Sequence, residues 1–308
     1  LWQYECIGSF GDRLADSNDI AKLQTIVKDV LKLKSDFETV SDLVYSSVPN
    51  GVYRKLESID KIIALMTEGL AKYNAECQPK NRMNLVMFSE ASLIVSRLFR
   101  ILQTPQGHVL LMGVGGSGRQ SLSKLAVYMS GLHSFSIEVG RGYNISKWGE
   151  DLKKLILSSI VDNKTTGFII SDNQLISDQF VEDVNTLIST GNLIGLPFNP
   201  EEAKKLDEVG RLECAKKQMQ ATKLNIISCQ TSLIRRNLHF LLAMSPSDAR
   251  FASRLRMFPA LVNCCSLIWM HKWSGEALLG VGQNQFCFAF RFLLHSFGHL
   301  IRGGNSGL

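Results

Sequence analysis

The sequence predicts an α/β protein: a three-layer αβα core around a five-stranded parallel sheet, preceded by a helical segment. Three observations predict it. From His108 onward, short apolar runs of strand length alternate with longer stretches of helical periodicity, the pattern of a parallel sheet covered on both faces. Before Leu102 the periodicity is helical throughout. A glycine-rich turn, Gly113-Val114-Gly115-Gly116-Ser117-Gly118-Arg119-Gln120-Ser121, separates the first apolar run from a helical stretch. Strand, glycine turn, helix is the setting of a phosphate-binding loop.

Each element follows from local pattern. Asn18 is placed to cap a helix carrying Ile20, Leu23, Val27, Val30 and Leu31 at helical spacing,. Ser46-Ser47-Val48-Pro49-Asn50-Gly51 breaks that pattern,. A second amphipathic stretch carries Leu56, Ile59, Ile62, Ile63, Met66 and Leu70, and a third runs from Met83 to Leu102. Thr104-Pro105-Gln106-Gly107 turns the chain into the first strand, His108–Met112, and a helix follows from Leu122. Phe135–Val139 reads as the second strand, and Lys147–Ile160 as a helix with Trp148, Leu152, Leu155 and Ile156 on one side. Gly167–Ser171 is the third strand and ends at Asp172. Phe180–Leu187 and Glu201–Gln220 read as helices, Leu238–Ser245 as the fourth strand, and Ala260–Cys265 as the opening of the fifth. The expected division is a helical segment over 1–75, the α/β unit over 76–273, and an irregular tail over 274–308 whose last dozen residues are expected to be poorly ordered.

Composition narrows the function classes. The formal charge of +6 is small for 308 residues, and no basic run is interleaved with aromatics, so neither nucleic acid nor an anionic membrane surface is an expected partner. No run of 18 apolar residues and no leader pattern is seen,. The seven cysteines are scattered without a C-x-x-C pair, which suits free thiols in a reducing compartment rather than a metal site. The first residue is leucine rather than methionine, which reads as a fragment.

The chemistry lies at four places. Gly113, Gly115, Gly116 and Gly118, with Ser117, allow backbone N–H groups to turn toward a phosphate, and the following helix adds its positive end. The motif G-x-x-x-x-G-K-[ST] is altered: Arg119 stands for the lysine and Gln120 for the Ser/Thr whose hydroxyl binds magnesium,. Ser121 would replace it only with a shifted helix start. Asp172 ends the third strand as a magnesium-orienting acid does, but Asn173 follows where a water-activating glutamate would stand, and losing that base costs ~10²–10⁴-fold in rate,. Ser245, ending the fourth strand, is placed to touch a terminal phosphate. Arg254 and Arg256 precede the fifth strand, where arginines reach a neighbouring subunit's nucleotide. The plainer readings stay open for each: a ligand-free glycine turn, a strand-end aspartate that forms a turn, a Ser-Pro turn, and two solvated arginines at a helix end.

Together, Gly113–Leu122, Ser171-Asp172-Asn173-Gln174, Leu242–Pro246 and Arg254–Cys265 resemble dynein heavy chains of the axonemal type. Their fourth AAA+ module is the most similar, and Trp2-Gln3-Tyr4-Glu5-Cys6 with Asp12-Arg13-Leu14 is similar to the end of the third. The resemblance implies a P-loop AAA+ core within a six-module ring. It further implies a regulatory site for ATP or ADP, with magnesium at Asp172, and little or no hydrolysis. Arg254 or Arg256 would act as finger toward the third module's nucleotide. The implied partners are the other modules, dynein intermediate and light chains, and microtubules; the implied place is the cytoskeleton and the axoneme of a cilium or flagellum. After Ala277-Leu278-Leu279 the likeness is expected to fade, since 280–308 shows no heptads,. Two other readings compete: a working P-loop ATPase with an acid such as Glu182 as base, and a structural ring module with an empty pocket.

Overall fold

In the computed structural model, residues 2–14, 17–30, 44–49, 51–192, 196, 198–270, 275 and 277–282 are described. Two helices, α1 (Trp2–Gly11) and α2 (Ser17–Val30), precede a hairpin of β1 (Val44–Ser46) and β2 (Arg54–Leu56), then α3 (Ile59–Glu76) and α4 (Ser89–Leu102). The α/β unit continues with β3 (His108–Met112), α5 (Arg119–Met129), β4 (His133–Phe135), α6 (Ile145–Ile160), β5 (Thr166–Ser171) and α7 (Asp178–Thr190). It closes with α8 (Pro200–Lys216), α9 (Lys223–Asn237), β6 (Leu238–Met244), α10 (Phe251–Met257), α11 (Ala260–Asn263) and β7 (Cys265–Trp269).

The five main strands lie in the order β4-β5-β6-β3-β7, every neighbouring pair parallel. This is the predicted α/β sheet with its helices before it. Period-two geometry sends alternate residues to opposite layers. Leu110 and Met112 of β3, Phe168 and Ile170 of β5 and Phe240, Leu242 and Met244 of β6 join α6 and α7 in one core. Val109, Leu111, Ile169 and Leu241 join α3, α4 and α5 in the other. Trp148 anchors the first layer, stacked on Phe180 at 4.4 Å while its indole Nε1 donates to Asp183 Oδ2 at 2.8 Å.

Several elements depart from expectation, each for a visible reason. Residues 83–88 are irregular, not helical; Asn74 anchors the start of the segment, accepting from the Met83 N–H at 2.8 Å and donating to the Met83 carbonyl at 2.9 Å. The predicted second strand is displaced: β4 ends at Phe135, and the Ile137 carbonyl is taken by the Gln174 side chain at 2.6 Å. Ala260–Asn263 is a helical turn rather than a strand opening; Pro259 starts it and the Asn185 side chain accepts the Ala260 N–H at 2.9 Å, so β7 begins only at Cys265. Helix α9 lies beyond the predicted end of the charged helix at Gln220; Thr222 caps it, and Ile226, Cys229, Leu233 and Ile234 form its buried face. Helix α2 starts at Ser17, so Asn18 lies in its first turn and is not its cap. The hairpin flanks the predicted break at Ser46–Gly51. Leu31 and the expected tail, apart from 275 and 277–282, lie outside the described residues.

Candidate functional site

The parallel strands all deliver their C-terminal ends to one edge of the sheet, and β3 lies between β6 and β7 although those strands come last in the chain. Ligands of open α/β sheets bind at such a reversal of strand order. The glycine loop leaves β3 there, tied back by the Gly113 N–H to the Met244 carbonyl at 3.2 Å. Gly116 and Gly118 have φ of +81° and +85°, a left-handed conformation that side-chain-bearing residues resist. Gly118 begins α5 without a side-chain cap, and helix geometry leaves the first N–H groups of α5 without intrahelical acceptors. Such a helix start has the geometry that can face an anion.

A cavity of about 520 Å³ opens beside this loop. Gly116, Ser117, Gly118 and Ser121 form one wall, and Trp269 and Met270 at the end of β7 another. Leu85, Val86 and Phe88, in the segment before α4, and Ile94 of α4 supply apolar surface. Helix α1 contributes Tyr4, Glu5 and Gly8, and Asp12 follows directly after it. That helix is pinned by Arg97 to Asp12 at 2.6 Å and by Arg100 to Glu5 at 2.8 Å, while the Tyr53 hydroxyl donates to Glu5. The result is a cleft of small-ligand volume whose lining combines the glycine loop with apolar side chains,. Ser117 Oγ is buried in it without a partner among the described residues.

Two of the predicted residues beyond the loop, Asp172 and Ser245, converge with Arg119 of the loop in a second cluster. Asp172, at the end of β5, accepts the Ser245 N–H at 2.6 Å and faces Arg119 Nη1 at 3.4 Å, all through Oδ2. Burial pushes the Asp172 carboxyl above the usual carboxylate range, with the Ser245 N–H and the Arg119 guanidinium opposing it. Ser245 meets the site through its backbone, while its hydroxyl accepts the Ser247 N–H at 3.3 Å in a turn. Asn173 and Gln120 are exposed. Gln174 closes a capping box on Ser171 and so sets the angle at which Asp172 leaves the strand.

Arg254 does not project outward. It is 1% exposed, donates from Nη2 to the Leu175 carbonyl at 2.8 Å and from Nε to Asp178 at 3.3 Å, and its Nη1 has no partner among the described residues. Arg256, two residues on, is exposed. Of the two finger candidates, Arg256 is the one whose guanidinium is free to reach another protein surface. Glu182 is exposed on α7 and absent from the cavity wall. Sequence reasoning misses Leu85, Val86 and Phe88 as site residues, since apolar side chains next to a helix read as core; Asn74, which anchors the start of their segment, carries no visible signal.

The profile of the family described as "P-loop containing dynein motor region D4" matches residues 83–289, two-thirds of the chain and beyond Leu279, where the likeness is expected to fade. The chain belongs to the dynein heavy chain family. Its similarity to curated dyneins extends over nine-tenths of its length. Mouse "Dynein axonemal heavy chain 3" is 36% identical over 303 residues, covering 90% of this chain. Human "Dynein axonemal heavy chain 1" is 32% identical over 296 residues, covering 91%. "Dynein-1-beta heavy chain, flagellar inner arm I1 complex" of Chlamydomonas reinhardtii is 34% identical over 300 residues, covering 92%. In each case the chain spans only 7% of the relative's length. It is therefore a stretch of dynein motor region, a AAA+ module of the axonemal heavy-chain type, and the glycine loop and Asp172 both fall within the matched region.

Proposed function

We propose that the chain is the fourth AAA+ module of an axonemal dynein heavy chain, preceded by the end of the third, and that its cleft holds ATP or ADP as a regulatory site with little or no turnover. The observation that carries this reading is the cavity itself, whose wall combines Gly116, Ser117, Gly118 and Ser121 of the loop with apolar Leu85, Val86, Phe88 and Met270. A polyphosphate suits the loop residues and a planar base the apolar ones. Slow turnover is supported by Asn173, a neutral amide exposed at the place of a general base,. Within the whole heavy chain the module would work beside neighbouring modules, intermediate and light chains and microtubules, in the axoneme of a cilium or flagellum; Arg256 would face the nucleotide of the preceding module.

A nucleotide that binds only the folded chain must raise its melting temperature, by about 2.7 kcal/mol of stability at a hundredfold excess over Kd. ATP and ADP are expected to raise Tm while phosphate release stays at background. Sustained turnover abolished by Asp172→Ala would overturn the regulatory reading in favour of a working ATPase, and an unmoved Tm would favour a structural module with an empty cleft.

A further inference from the structure

The donors at this site do not fit the magnesium ion that such loops hold. Magnesium beside a nucleotide takes a hydroxyl from the residue after the loop's basic residue and is oriented by the strand-end acid. The first position is Gln120, whose side chain is exposed. Ser121, the next residue of α5, is turned about 100° round the helix from position 120 and lines the cavity from a different direction. The acid is already engaged: Oδ2 of Asp172 accepts the Ser245 N–H at 2.6 Å and lies 3.4 Å from Arg119 Nη1. The carboxylate oxygen is thus occupied by a cation the chain itself supplies.

We propose that this cleft binds a nucleoside di- or triphosphate without a divalent cation, Arg119 supplying the positive charge and Asp172 acting as the latch that holds Arg119 when the cleft is empty. The inference rests on the nucleotide-binding reading above. A guanidinium keeps its charge at every physiological pH and presents a planar fork that matches phosphate oxygens bidentately. Its contact to Asp172 sits at the long end of the hydrogen-bond range,, and neither partner is fully buried, with 14% and 15% of their side chains exposed. A phosphate that accepts two N–H bonds from the same guanidinium fork offers Arg119 a stronger pairing than the single contact to Asp172. It starts α5, the helix whose free N–H groups face the same anion,. Asp172 keeps the Ser245 N–H after the exchange, so its charge is not left unsolvated.

The test is titration calorimetry of the 308-residue chain with ADP and with ATP, in excess EDTA and in excess magnesium. Equal affinity in both buffers is expected; clear tightening by magnesium would overturn the proposal while leaving the nucleotide site intact. Binding in neither buffer would overturn both. Arg119→Ala should weaken binding roughly ten- to a hundredfold, the effect of losing a charge-assisted hydrogen bond. Asp172→Asn decides the role of the acid: a released latch predicts unchanged or tighter binding in EDTA, whereas a magnesium-orienting acid predicts loss in magnesium. The paired change Arg119→Lys with Gln120→Thr should create magnesium dependence where none existed. Should Arg119→Ala fail to fold, the EDTA comparison on the unaltered chain and Asp172→Asn still separate the two outcomes.

Discussion

Three glycines within four residues of the loop differ in one respect that alanine substitution can isolate. Gly116 and Gly118 have φ of +81° and +85°, while Gly115 does not have a left-handed φ. A Cβ at Gly115 or Gly116 meets nothing within 4 Å, and at Gly118 only Leu122 Cγ at 3.9 Å, ordinary contact. Steric overlap is therefore removed from the comparison, leaving backbone conformation alone. A left-handed alanine costs roughly 1–2 kcal/mol, whereas a glycine replaced at a compatible φ stabilises by about 0.4–1 kcal/mol through the unfolded chain. Gly116→Ala and Gly118→Ala are thus expected to destabilise, and Gly115→Ala to be neutral or slightly stabilising. Each kcal/mol moves Tm by about 2–4 °C in a chain of this class. Differential scanning calorimetry of the ligand-free variants reads the order directly. If Gly115→Ala fell as far as its neighbours, or Gly118→Ala did not fall, the loop would not have the conformation that brings its N–H groups to an anion.

Other outcomes follow from the same geometry. Arg254→Ala removes the donor to Leu175 and the packing of a fully buried side chain, an expected loss of about 2–4 kcal/mol in urea unfolding, whereas Arg256→Ala stays within about 0.5 kcal/mol; equal effects would contradict their different burial. His108 is buried beside Phe240 of β6, and its pKa is pushed down to about 4, chiefly by burial and then by His239. The unfolded chain binds that proton near pH 6.5, so the folded state loses stability as pH falls from about 6.5 toward 4, on the order of 3 kcal/mol from this group. Asp172, raised by burial, works in the opposite direction; unfolding free energies that are flat between pH 7 and 5 would refute the histidine argument. Cys264 is exposed and Cys265 is buried with its thiol pushed up to about 12 by burial, so iodoacetamide should label Cys264 well before Cys265 in the native chain, read by peptide mass spectrometry.

The centre of the sheet is legible in the sequence because β3, β5 and β6 are largely apolar and buried throughout. Leu110, Ile170 and Leu242 each sit in runs that no exposed element would tolerate, and the glycine turn marks where the first run ends. Segments whose state depends on a distant partner are not legible. Residues 83–88 carry apolar side chains compatible with a helix, yet they are irregular, with Met83 tied to the distant Asn74 by two hydrogen bonds. Ala260–Asn263 is as apolar as a strand, and the bonds from Pro259 and Asn185 make it a turn of helix. Helix α9 is a different case, because its signal is local: Ile226, Cys229, Leu233 and Ile234 repeat at helical spacing behind the Thr222 cap.

By itself, then, the sequence determined the class of architecture, the position of the phosphate-compatible loop, and the substitutions Arg119, Gln120 and Asn173, because these are local: apolar period, glycine content and residue identity are properties of short stretches of chain. Only the tertiary structure decided what those residues do to one another. Arg119 and Asp172 meet because β3 and β5 end on the same edge of the sheet with β6 between them. Arg254 and Arg256 stand two residues apart in sequence, but one points into the protein and the other out, since neighbouring positions on a short helix face opposite environments,. The cleft exists because residues of α1, of the segment before α4, of the glycine loop and of the end of β7, far apart in sequence, line one cavity. Contacts of that range carry no pattern in the chain; they are settled by packing.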